Sequence, residues 1–141
     1  MIRLELNDKD LKEILPKLKR AVNRSVELTA LEVWGNVMEF SPQDHGRLAG
    51  SWYLKRTGPL SFMVATNVVY ARVQNEGRGP FIIRPRRRKA LKFEINGETI
   101  FAKKVHHPGI KPKRFVERSI HEAEKRIEDF VYRALSEEGL V

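Results

Sequence analysis

Histidine, serine, carboxylate and arginine residues are the groups in this 141-residue chain that could do chemistry, and their spacing narrows what that chemistry is. His106 and His107 are adjacent, while His45 and His121 stand far off in sequence. Neighbouring residues of an extended chain point apart, so such a pair rarely holds one ion unaided. A zinc site takes three or four convergent ligands, and no His-Glu-x-x-His run occurs. The pair reads as turn residues, and no metal or other cofactor is expected. Ser41, Ser51, Ser61 and Ser119 lack a Gly-x-Ser-x-Gly elbow. Gly77-Arg78-Gly79 lacks the spacing and the Lys-Ser/Thr of a phosphate-binding loop. Glu76, near Tyr70, is a candidate acid, but a carboxylate among arginines is more often one half of an ion pair. A nuclease would need clustered acids for metal, and the basic middle of the chain offers only Glu76, Glu94, Glu98 and Glu117. No catalytic residue is assigned and no enzyme activity is expected.

The densest chemistry is Arg84-Pro85-Arg86-Arg87-Arg88-Lys89, with Arg78 just before it. Guanidinium forks suit phosphates and carboxylates alike. Phe81 and Phe93 flank the run, as in many nucleic-acid binders, yet no zinc finger, RNP1 or GxxG clamp accompanies it. Three readings follow: a grip on nucleic acid, a grip on an acidic protein face, or a merely solvated charge run. The net charge of +9 is unevenly placed. Residues 1–69 carry +2, residues 70–118 carry +10, and residues 119–141 carry −3. Such asymmetry suits a polyanion partner or a second copy docking plus to minus. The acidic outside of the last helix, at Glu122, Glu128 and Asp129, is one such face.

The elements that must position these groups form one expected α+β domain over 1–141. Asn7 or Asp8 caps a long helix over about 8–40, with Pro16 a possible break and Pro42 its stop. Leu11, Leu15, Leu18, Val22, Val26, Ala30, Trp34 and Val37 recur at helical spacing and predict its core face. Gln43 to Gly46 is a turn. Leu48–Arg56 and Ser61–Tyr70 read as strands, and Ala71–Glu76 as more strand or one helical turn. Residues 77–89 read as a long flexible loop. ALKFEI and ETIFAK then flank Asn96-Gly97, the preferred type I′ pair, so Phe93 should face Ile100 and Leu91 face Ala102. A final helix is expected over about 113–137, with Gly139 at its end. Trp34 and Trp52 fall within periodic segments and are assigned to packing. The predicted architecture is a mainly antiparallel sheet with the two helices packed on it and a long basic loop before a hairpin. The absence of cysteine excludes disulfides and thiolate chemistry. The first residues carry no apolar signal region, and no run approaches the roughly 20 residues that span a bilayer, so a soluble protein without membrane contact is expected.

Several stretches together carry a resemblance. They are Pro42 after the helix, Gly46-x-Leu48-x-x-Ser51, Tyr70-Ala71 with Glu76-Gly77, the 84–89 run before Ala90-Leu91-x-Phe93, and His107-Pro108-Gly109-x-x-Pro112 leading to Phe115. In this order they span nearly the whole chain, which resembles the tail-completion or head–tail joining proteins of long-tailed bacteriophages and prophages. Gly50 is a departure near the serine. The resemblance implies a structural protein of the virion neck that forms a ring in the particle and is compatible with a monomer in isolation. It implies contacts with head-completion or connector proteins and with the tail-tube protein, and residence in the host bacterial cytoplasm during assembly. The basic residues Arg78, Arg84, Arg86, Arg87, Arg88 and Lys89 would then dock on neighbouring subunits. Non-specific contact with DNA, or a small basic nucleic-acid-binding module, is the alternative.

Overall fold

The computed structural model describes residues 1–5, 7–43, 46–87 and 89–141. The chain divides into two compact units, Val69–Arg114 and the remainder, Met1–Val68 with Phe115–Val141. The class is α+β, with a long first helix, antiparallel strand pairs and C-terminal helices. The strands form three separate two-stranded ladders in place of one sheet.

The larger unit is built on α1, Asp8–Phe40. Its start is a capping box. The Asn7 side chain accepts from the Asp10 N–H at 3.1 Å, and the Asp10 carboxylate accepts from the Asn7 N–H at 3.4 Å. Pro16 lies inside without ending the helix, although it cannot donate to the turn before it. The helix stops where Ser41 turns extended ahead of Pro42 and donates its N–H to the Val37 carbonyl at 3.0 Å. Two helices return along α1: α3, Phe115–Glu124, and α4, Ile127–Glu137. Small residues let them approach closely. Ser119, Ala123 and Ala134 are buried among Ala21, Leu28, Val37, Phe115 and Phe130. The buried Asn36 amide donates to the Ser119 carbonyl at 3.1 Å, so this polar group is satisfied across the helix pair. Ion pairs run along the seam, from Arg126–Glu32 at 2.9 Å to Arg24–Glu137 at 3.2 Å and Arg20–Glu138 at 3.0 Å.

The single final helix predicted from the pattern is two. At the break Arg126 leaves helical geometry and its N–H bonds the Ala123 carbonyl three residues back. No glycine or proline marks that turn. It aims Phe130 and Ala134 at α1 and gives Arg126 its partner Glu32.

The first strand pair lies against α1. β1, Tyr53–Gly58, and β2, Ser61–Ala65, are antiparallel, with Tyr53 opposite Ala65 and Lys55 opposite Met63. The expected strands were longer. Ala49–Ser51 forms a turn of 3-10 helix, and Thr66 ends β2 by accepting the Val68 N–H at 3.2 Å. The Gly-x-Leu-x-x-Ser element serves the fold here: Leu48 is buried, and Ser51 Oγ meets Thr66 Oγ1 at 2.5 Å. Trp34 Nε1 donates to the Trp52 carbonyl, Trp52 Nε1 donates to Ser41 Oγ, and Trp52 stands edge-on to Phe115 with centroids 6.3 Å apart. Arg56 binds the hairpin to α1 by donating to Asn23 and Glu27 while lying over the Phe62 ring.

The predicted core stripe of α1 is only half right. Val37 is buried and Val26, Ala30 and Trp34 are half-buried, but Leu11, Leu15, Leu18 and Val22 are exposed, Leu11 at 52%. The reason is length. α4 ends beside Arg20 and Arg24, so the first turns of α1 extend past the helix that covers the rest. No helix among the described residues is long and apolar enough to cross a membrane.

Candidate interaction surfaces

The unit Val69–Arg114 carries thirteen basic and three acidic residues, a net +10, and little apolar interior. Local backbone geometry holds it. It begins with α2, Ala71–Glu76, so the ambiguous stretch is helical. Glu76 pairs with Arg72 at 2.9 Å, an ordinary ion pair one helical turn apart. Gly77 and Gly109 then flank a close backbone approach, Gly77 against Ile110 and Pro112, Gly109 against Arg78 and Gly79. Arg78 and Ile110 exchange both backbone hydrogen bonds, at 2.9 and 2.7 Å. A Cβ on Gly109 would lie 2.5 Å from the Arg78 carbonyl oxygen, and one on Gly77 2.8 Å from that of Ile110. The Glu-Gly and His-Pro-Gly stretches, far apart in sequence, are therefore two halves of one crossing. Beyond it the Lys113 and Arg114 N–H groups donate to the Gln74 and Asn75 carbonyls, both at 3.1 Å.

This crossing corrects the long-loop expectation. Residues from Arg78 onward are paired, and β3, Phe81–Ile83, runs antiparallel to β6, Val105–His107. Among the described residues of this stretch, Gly77, Gly79, Pro80, 84–87, Lys89 and Ala90 stay outside regular elements, and Arg88 lies outside the described residues, as does His45. The hairpin follows the predicted register. In β4, Leu91–Ile95, and β5, Glu98–Ala102, Phe93 faces Ile100 and Leu91 faces Ala102. Asn96 and Gly97 both take positive φ, as a type I′ turn requires.

On this frame the cations are presented outward. The Arg78 guanidinium sits 3.8 Å above the Phe81 ring, and Phe81 stacks on His107 at 4.6 Å and 19°. His107 Nδ1 accepts the Gly109 N–H at 3.0 Å, which orients its ring in that stack; His106 and His107, read from sequence as turn residues, lie in β6 instead. Arg84, Arg86, Arg87 and Lys89 are exposed and have no ion-pair partner among the described residues. A surface depression of about 390 Å³ lies between Arg78, Phe81, Arg84 and Arg86, and one of about 480 Å³ between Pro85, Arg86, Arg87 and Lys92. The stack, which sets the Arg78 guanidinium over the Phe81 ring, was not read from sequence. The spacing Arg78-x-x-Phe81 is its only trace there.

The acidic surface belongs to the other unit. Glu122 is half-buried and held by Lys125 at 3.0 Å. That hydrogen bond and the Lys125 charge, helped by His121 and Arg118, keep its carboxyl below the usual range. Glu128 and Asp129, in the first turn of α4, are exposed without ion-pair partners among the described residues. Of the three predicted acids, two are open and one is engaged locally. Among the described residues no group of three His, Asp or Glu side chains converges as a metal site would require.

No family model, curated protein or solved structure matches this chain. The arrangement offers exposed cationic side chains to anionic oxygens and, separately, the Glu128 and Asp129 carboxylates to cations.

Proposed function

We propose that this chain is a structural assembly protein of a bacteriophage or prophage neck, which completes the tail and joins it to the head as part of a ring. One observation carries the reading. Arg84, Arg86, Arg87 and Lys89 stand exposed and unpaired in one unit, while Glu128 and Asp129 stand exposed and unpaired, among the described residues, in the other. Opposite patches on different parts of one molecule make heterologous contacts, which close into rings when the rotation allows. The Arg78–Ile110 crossing, flanked by Gly77 and Gly109, supports it further, since it gives one structural purpose to two of the stretches that carry the resemblance. Connector and tail-tube proteins are the partners this reading names.

The test is complementation. Heads and tails made without this chain are mixed with the purified protein, and joined particles are counted. Wild type is expected to restore joining, and Arg84→Ala with Arg86→Ala and Arg87→Ala to lose most of it. No gain in joining with the wild type overturns the reading.

Nucleic acid is the second reading, favoured by the Arg78–Phe81–His107 stack beside free arginines. Phosphate contact predicts a log–log salt slope near −0.9 per phosphate neutralised on duplex DNA. Weak binding that the triple alanine variant leaves unchanged removes it.

A further inference from the structure

The first turns of α1 pose a physical problem. In proteins most helical stability comes from packing of an apolar face and not from propensity. Here Asp8–Lys19 continues α1 past the end of α4 and exposes Leu11, Ile14, Leu15 and Leu18 on one side, with Val22 next in line. Seen down the helix, α4 covers the side of Arg24 and Leu28, the β1–β2 hairpin covers the side of Asn23 and Glu27, and the exposed stripe forms a third side. Two grooves run along it. One, of about 490 Å³, is lined by Leu15, Leu18, Val22, Pro59 and Leu60. The next, of about 390 Å³, is lined by Val26, Thr29, Ala30, Phe62 and Ile127.

The charges beside the stripe are ordered. Asp8 lies on one flank with Lys19, and Asp10 lies on the other with Lys17, by the 100° step of a helix. None of the four has an ion-pair partner among the described residues. An antiparallel copy turned about an axis between residues 13 and 14 brings Asp8 against Lys19 and Asp10 against Lys17 on matching flanks. The symmetry makes each pair twice. Leu11 of one copy then meets Leu15 of the other, and the two Ile14 side chains lie next to the axis.

Ile2 and Leu4, which precede the helix, are almost fully exposed in the single chain, at 94% and 91%.

We propose that α1 forms an isologous, antiparallel dimer of this chain through Leu11, Ile14, Leu15 and Leu18, locked by the Asp8–Lys19 and Asp10–Lys17 pairs. The contact is independent of the neck reading. It uses neither the basic unit nor Glu128 and Asp129.

Sedimentation equilibrium on the full chain reads the mass directly. Wild type is expected at twice the chain mass of 16.4 kDa. Lys17→Glu with Lys19→Glu is expected to weaken dimerisation by roughly ten- to a hundredfold, the scale of four exposed pairs reversed together. Asp8→Lys with Asp10→Lys should do the same, and a mixture of the two variants should recover the dimer as a heterodimer. That rescue distinguishes this register from general loss of folding. Circular dichroism checks that the helix survives, and Leu15→Glu supplies a variant that spares the cap. Because the chain has no cysteine, Ile14→Cys tests the axis alone, and rapid disulfide-linked dimer is expected. A monomeric wild type at its highest soluble concentration overturns the proposal. So does a dimer indifferent to Leu15→Glu, or charge variants that fail to rescue one another.

Discussion

Substituting Gly109 by alanine tests whether the small basic unit is held by its backbone crossing. Gly109 has φ +95°, where a side chain is strained, and its new Cβ would sit 2.5 Å from the Arg78 carbonyl oxygen and 2.8 Å from the Gly79 carbonyl carbon. Left-handed geometry costs about 1–2 kcal/mol. Forcing atoms into a filled space costs typically about 1–3 kcal/mol. The cheapest relief is to part Arg78 from Ile110, which gives up two backbone bonds at about 0.5–1.5 kcal/mol each. Strain plus the smaller of the two escapes comes to about 2–5 kcal/mol, a large share of what a domain possesses. Amide hydrogen exchange followed by mass spectrometry should show residues 77–83 and 105–112 opening about 30-fold to several thousandfold more often, at about 1.4 kcal/mol per decade. Two controls isolate the cause. Gly97 has φ +81° but open space around it, so alanine there should cost strain alone, about 1–2 kcal/mol. Gly79 has neither positive φ nor a close neighbour, so alanine there should be neutral or stabilise slightly. A Gly109→Ala protein that exchanges like Gly79→Ala would refute the idea that the crossing holds the unit.

Four further outcomes follow. Phe115→Ala should destabilise the larger unit by about 3–5 kcal/mol, since Phe115 is 2% exposed and abuts Trp52, and tryptophan fluorescence during urea unfolding reads it. Asn36→Ala leaves the buried Ser119 carbonyl short of a donor and should cost about 1–3 kcal/mol in the same assay. Glu122 should titrate below the ordinary carboxylate range by carbon-detected NMR, and Lys125→Met should move it up. Because the folded value is the lower one, whatever Glu122 adds to stability is present at neutral pH and is lost as pH falls through that value. An unchanged titration in Lys125→Met would assign the shift elsewhere. Limited trypsin should cut first within 84–90, whose described residues lie outside regular elements, whereas the sequence alone extended the sensitive region back to Arg78; early cleavage at Arg78 would contradict the pairing seen there.

What the sequence made legible follows the range of the physics involved. The cap, the stop before Pro42 and the Asn96-Gly97 turn are local; the turn and the stop were readable to the residue, and the cap to one of two neighbours, Asn7 or Asp8. The α+β class followed from the order of such signals. Three things were not local. Nothing at Lys125 or Arg126 announces a helix break, which is set by packing on α1 and by the ion pair with Glu32. Hydrophobic period fixes which face of α1 is apolar but not how far a partner helix extends along it, so Leu11 to Val22 were assigned to a core that stops short of them. The third was the Arg78–Ile110 crossing, where Gly77 and Gly109 marked that something unusual was needed without naming their counterparts. At the candidate surfaces the arginine run was plain from composition. Its anchoring was not, because a cation–ring stack depends on two strands whose pairing is long-range.

The hydrogen bonds from Lys113 and Arg114 back to Gln74 and Asn75 tie the last residues of the Val69–Arg114 segment to the end of α2, near its start. The stretch between them, from Glu76 to Pro112, is thereby a loop of chain closed by its own backbone. Changes of length inside that loop need not part the two strands of chain that close it, so the concentrated positive charge lies where the backbone tolerates variation.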